Sequence, residues 1–102
     1  MIEVTTKEEI NELLEKGPLV IDFWAPWCGP CRAIAPIFEQ VSQKNENVTF
    51  VKCNIDNSPE LASAYGISAI PTLKFLKNDV TFDTVMGMIS EKALQEKVDN
   101  LL

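Results

Sequence analysis

The chain has 102 residues, of which 46% are apolar and 24% charged, and its net charge is −6. That length supports one hydrophobic core, so residues 1–102 read as a single domain, and the composition excludes a disordered chain. The acidic balance without any long basic cluster argues against nucleic acid or an anionic membrane as partner, and Asp22 interrupts the longest apolar run well short of a membrane span.

The opening residues Met1 to Lys7 lack the basic-then-apolar pattern of a secretory signal, so a cytoplasmic location is expected, with a processed mature chain as the alternative. Thr6 followed by Glu9 forms a capping box for a first helix. Ile10, Leu13 and Leu14 supply its apolar stripe, and Gly17-Pro18 its stop. Leu19 to Trp24 reads as a buried strand. From Arg32 to about Val41 a helix places Ile34, Ile37, Phe38 and Val41 on one face, with Pro36 removing a hydrogen bond and bending it.

Val48 to Ile55 is rich in β-branched and aromatic residues and reads as a second central strand. Ser58-Pro59-Glu60 offers an N-cap, a first-position proline and a favourable acidic charge for a short helix ending near Tyr65-Gly66. Thr72 to Lys77 and Val80 to Val85 form a hairpin across Asn78-Asp79, and Ser90 caps a last helix with Leu94, Val98 and Leu101 on one face. The order β-α-β-α-β-α-β-β-α gives an α/β fold with helices on both faces of a mixed sheet. Strands separated by helices are expected to pair in parallel through right-handed crossovers, the final hairpin adding an antiparallel edge.

Between the first buried strand and its helix stands Cys28-Gly29-Pro30-Cys31. Cys28 is expected just outside the helix N-terminus and Cys31 in its first turn, where unpaired N–H groups and the helix dipole stabilise a Cys28 thiolate. Gly29 is expected to allow a tight backbone path, Pro30 to start the helix, and Arg32 to add a small positive influence. Three cysteines leave one over from any disulfide scaffold, and without histidine they fall short of the usual single-chain zinc sites. Thiol–disulfide exchange is therefore the favoured chemistry, with a metal site on the cysteine pair and an inert staple as the alternatives.

Such exchange has two steps: Cys28 attacks a partner disulfide, and Cys31 then attacks the Cys28 sulfur. The second step needs a proton acceptor. Asp22, inside a strand covered on both faces, is the candidate, because desolvation raises a carboxyl pKa. Lys52 on the neighbouring strand opposes that shift; the alternative is that Asp22 pairs with Lys52 or points to solvent.

The segment Trp24-Ala25-Pro26-Trp27-Cys28-Gly29-Pro30-Cys31 resembles the active site of the thioredoxin family, and the resemblance spans nearly the whole chain. Asp22 matches the family's buried aspartate, Lys52 its lysine partner, Pro36 its helix-kinking proline, and Ile70-Pro71-Thr72 the segment with its cis-proline. The resemblance implies the thioredoxin fold and a general protein dithiol–disulfide oxidoreductase. The implied substrate surface comprises Trp27, Gly29, Pro30, Ala69, Ile70, Pro71 and Gly87, with the Ile70 backbone pairing to an extended partner. Gly29-Pro30 between the cysteines is of the reducing type.

No cofactor or metal is expected. The implied partners are disulfide-containing proteins and a separate reductase, NADPH- and flavin-dependent or ferredoxin-dependent, with the chain itself a monomer. Asp79 in the hairpin turn, Ala69 before Ile-Pro and Met86 before Gly87 depart from the common family pattern. Cys53 is expected to be a small buried core residue, the alternative being a regulatory or dimer-forming thiol. Trp24, Met86 and Met88 are expected to pack, and Trp27 to be exposed at the site. A binding module that uses the same surface, with incidental redox activity, is the competing function.

Overall fold

The computed structural model describes residues 1–102. Nine elements follow one another: β1 (Ile2–Glu3), α1 (Lys7–Leu14), β2 (Leu19–Trp24), α2 (Gly29–Gln43), β3 (Thr49–Asn54), α3 (Pro59–Ala64), β4 (Thr72–Lys77), β5 (Val80–Met86) and α4 (Glu91–Leu101). The five strands form one sheet in the order β1-β3-β2-β4-β5. Helices cover both faces, as the alternation of strands and helices required.

Local chemistry explains most of the boundaries. At α1, Thr6 Oγ1 accepts the Glu9 N–H while the Glu9 carboxylate accepts the Thr6 N–H, completing the capping box. The helix ends at Leu14, earlier than the expected stop at Gly17-Pro18, because the chain turns through Glu15 and Lys16 first. The hairpin between β4 and β5 turns on Asn78 (φ 54°) and Asp79 (φ 64°), the double left-handed geometry of a type I′ turn. At α4, Ser90 Oγ accepts the Ala93 N–H at 3.1 Å.

Two expectations give way. β4 follows a helix, yet it runs antiparallel to β2, with Asp22 opposite Leu73. Only β1–β3 and β2–β3 are parallel, so a helical connection did not dictate strand direction here. Ser58 stands at the N-cap of α3 but makes no capping hydrogen bond; it is buried instead.

The two faces of the sheet hold separate cores. Val20, Phe50, Leu73 and Phe75 pack under α2 and α4 with Ile34, Phe38, Leu94 and Val98. Leu19, Ile21, Phe23, Val51 and Cys53 face the other way, against Ile10 of α1 and Leu61 of α3. Strand alternation then places Asp22, two residues from Val20, on the α2 face, the face over which the helix after the cysteines lies.

Candidate active site

The tetrad occupies the junction of β2 and α2. The Cys28 N–H donates to the Ala25 carbonyl at 3.2 Å, closing the loop that leaves the strand. Cys28 is the N-cap of α2, and its Sγ accepts the Cys31 N–H at 3.2 Å. One of the helix's unpaired donors thus points at the first sulfur. Cys28 and Cys31 are joined as a disulfide with Cα atoms 5.2 Å apart, and both are buried.

Gly29 and Pro30 are the first two residues of the helix and are exposed. Gly29 has no left-handed backbone, and a Cβ there would meet only Arg32 Nη2 at 3.8 Å. Glycine's conformational freedom is therefore not what this position requires; the helical first turn has room for a small side chain. The Arg32 guanidinium donates to the Pro26 carbonyl at 2.9 Å, so it braces the loop.

Asp22 is fully buried, and neither carboxylate oxygen has a hydrogen-bond partner. Burial pushes its carboxyl up from 3.8 to about 6, with the Lys52 ammonium opposing and the Glu3 carboxylate adding to the rise. Lys52 is directly opposite Asp22 in register, but no ion pair joins them. Its Nζ lies instead over the Trp24 ring, 4.4 Å from the centroid. Trp24 is half-buried, and its Nε1–H donates to Glu3 Oε2 at 3.0 Å.

The surface beside the disulfide is apolar and open. Trp27 is 66% exposed, with its Nε1–H donating to Asp56 Oδ2 at 3.0 Å. Ile70-Pro71 is a cis peptide bond, and the Ile70 carbonyl oxygen lies 3.9 Å from Cys28 Sγ. Pro71 is buried while Ala69 is exposed, and the Gly87 N–H donates to the Pro71 carbonyl at 2.9 Å. Gly87 has φ 86°, a conformation that suits glycine. Met86 and Met88 do not pack as expected: they are 66% and 53% exposed on either side of Gly87.

Cys53 lies in the core packed against Ile10 of α1 and Leu61 of α3, fully buried and unpaired. Burial pushes its thiol from 9.0 up to about 11, which disfavours the thiolate. No three His, Cys, Asp or Glu side chains gather closely enough to hold a metal ion. Two polar partners at the site escaped sequence reasoning: Glu3, on the edge strand, and Asp56, beyond the end of β3. Neither carries a local signal, since each reaches the site only through strand pairing or chain reversal.

A disulfide held at a helix N-terminus, on a mixed sheet and beside an open apolar surface, defines a protein dithiol–disulfide oxidoreductase. The comparisons assign it further. The Thioredoxin family profile matches residues 1–100. The chain is 42% identical over 101 residues to Thioredoxin 1 of Synechococcus elongatus, covering 98% of this chain and 92% of that one. It is 44% identical to the Synechocystis thioredoxin over 101 residues, with the same coverage of 98% and 92%. Among solved structures, Fasciola hepatica thioredoxin superposes with a TM-score of 0.91 at 32% identity, and Plasmodium falciparum thioredoxin with 0.89 at 30%, each pair covered over 100% of both chains. The chain belongs to the thioredoxin family. Its substrates are accordingly disulfide-containing proteins, and a reductase is its partner in the opposite half-reaction.

Proposed function

We propose that the two cysteines have unequal roles in protein-disulfide reduction, with Cys28 attacking and Cys31 resolving. The observation that carries this reading is the position of Cys28 at the N-cap of α2, where the Cys31 N–H points at its sulfur. A thiolate there gains from the helix dipole and an N–H donor, which raises its fraction at neutral pH.

In the first step the Cys28 thiolate attacks one sulfur of the partner disulfide. That S–S bond breaks, a mixed disulfide forms, and the partner's other sulfur leaves as a thiolate that takes a proton. In the second step Cys31 gives its proton to the Asp22 carboxylate and attacks Cys28 Sγ. The mixed disulfide breaks, the partner's second sulfur leaves and is protonated, and two electrons have passed to the partner. With its midpoint raised to about 6, Asp22 is largely ionised at pH 7 yet basic enough to take the proton. Lys52 tunes that value downward from the next strand.

Gly29 and Pro30, between the two cysteines, tune the redox pair toward reduction of partners. Trp27, Ala69, Ile70, Pro71 and Gly87 form the surface on which an extended stretch of the partner lies, with backbone contacts at Ile70 giving tolerance of many sequences. A reductase, flavin- and NADPH-dependent or ferredoxin-dependent, restores the dithiol. The chain acts as a cytoplasmic monomer comprising one domain over residues 1–102, with no cofactor.

Reduction of insulin disulfides by a dithiothreitol-recharged protein tests the reading. Cys28→Ser is expected to fall to the uncatalysed rate, and Cys31→Ser to accumulate a mixed disulfide detectable by mass spectrometry. Asp22→Asn is expected to slow resolution above pH 6. Turnover that persists in Cys28→Ser would assign the activity to another group, and no turnover in the unaltered protein would leave a binding module.

A further inference from the structure

Glu3 is exposed, at the edge of the sheet, and outside the cysteine loop. It pairs in register with Lys52, which pairs in register with Asp22. Paired residues of parallel strands project to the same side, so acid, base and acid leave one face of three adjacent strands in a row. Glu3 does not bond to Lys52. It spends its two oxygens elsewhere, Oε2 on the Trp24 indole N–H at 3.0 Å and Oε1 on the Asn54 N–H at 3.1 Å.

Each of those bonds leads toward the cysteines. The Trp24 ring carries the Lys52 ammonium 4.4 Å from its centroid. Asn54 Oδ1 accepts the Asp56 N–H at 2.9 Å, and Asp56 Oδ2 accepts the indole N–H of Trp27 at 3.0 Å. One carboxylate is thereby linked both to the Trp24 ring that carries Lys52, the residue opposite Asp22, and to the exposed Trp27 indole next to Cys28.

We propose that Glu3 is a positioning residue for the dithiol site: it fastens Trp24, whose ring holds the Lys52 ammonium out of contact with Asp22, and so leaves the buried acid without a paired cation. The inference rests on reading Asp22 as the proton acceptor for Cys31. An ammonium over an aromatic face is stabilised by the ring quadrupole, which offsets its attraction to the neighbouring carboxylate. Glu3 also acts through its own charge, about 10 Å from Asp22 by two strand spacings. Freed from the ring, Lys52 would turn to Asp22; stripped of the Glu3 charge, Asp22 would ionise more readily. Both effects have the same sign.

The groups facing Asp22 allow no other charged source for such a change. β3 contributes Lys52, β1 contributes Glu3, and β4 contributes the apolar Leu73. α4 lays the apolar Leu94, Val98 and Leu101 over this face and α2 lays Ile34, Phe38 and Val41, leaving Lys52 and Glu3 as the charges that act on Asp22.

The test is the Asp22 carboxyl titration, followed by carbon-13 NMR in the oxidised protein, for the unaltered chain, Glu3→Gln and Glu3→Ala. Glu3→Gln keeps the side-chain length and one acceptor oxygen while removing the charge. The Asp22 midpoint is expected to fall by about half a pH unit in Glu3→Gln, the size of one unit charge at that spacing in a partly screened site, and at least as far in Glu3→Ala. The pH above which Asp22 is free to accept the Cys31 proton, read as the rise of insulin reduction with pH, is expected to move down with it. A merely structural Glu3 would lower the unfolding free energy and leave the titration where it was. An unchanged or raised midpoint in both variants overturns the proposal. The titration reads the positioning role without turnover, whereas failure of the acceptor role itself would show as unaltered resolution in Asp22→Asn.

Discussion

Replacing Asp22 with asparagine should stabilise the oxidised protein above neutral pH and do little below pH 4. The buried carboxyl has no hydrogen bond and titrates at about 6 instead of 3.8. A group whose folded midpoint lies above its unfolded one binds its proton more tightly in the folded state. Its favourable contribution is therefore complete below 3.8 and is lost as pH rises through about 6. The displacement corresponds to about 3 kcal/mol between the two limits. Asparagine has nearly the same shape and never ionises, so it escapes this loss, although its carboxamide is still buried without partners. The variant is expected to match the parent near pH 4 and to exceed it by about 2–3 kcal/mol at pH 8. Urea unfolding followed by circular dichroism, at pH 4 to 8 and with equal m values, measures the difference. Parallel stability curves for the two proteins across this range would refute the reasoning, as would a variant less stable than the parent at pH 8.

Alkylation of the native reduced protein at pH 7.5 should label the active-site pair and spare Cys53, whose burial holds its thiol near 11; peptide mapping that finds Cys53 modified as fast as Cys28 would contradict its place in the core. Asp79→Gly should raise the unfolding free energy by about 0.5–1 kcal/mol, because Asp79 sits at φ 64° in a turn position that favours glycine. The lost 3.4 Å contact to Lys7 is exposed on both sides and offsets little of that gain. Thr6→Ala removes the N-cap oxygen of α1 and should cost about 1 kcal/mol in the same assay, with no change in insulin reduction.

Several features were legible because their causes are local. The capping box of Thr6 and Glu9, the Ser90 cap and the Asn78-Asp79 turn depend on residues within a few positions of one another. Ser58 shows the limit of such reasoning: it has the right residue type and the right place, but tertiary packing buried it beside Cys53 and no capping bond forms. Met86 and Met88 fail in the opposite sense, since apolar character alone could not reveal that the strand end beside Gly87 lies at the surface.

Sequence alone was sufficient to locate the cysteine tetrad at a strand-to-helix junction and to bury Asp22, because hydrophobic periodicity and N-terminal helix chemistry act over neighbouring residues. Tertiary structure decided the rest of the site. The antiparallel course of β4 brings Leu73 opposite Asp22, and the pairing of β1 with β3 carries Glu3 to a site about twenty residues away along the chain. Strand register, a long-range property, also sets Lys52 opposite Asp22, while the side chain's own contact carries its ammonium over the Trp24 ring.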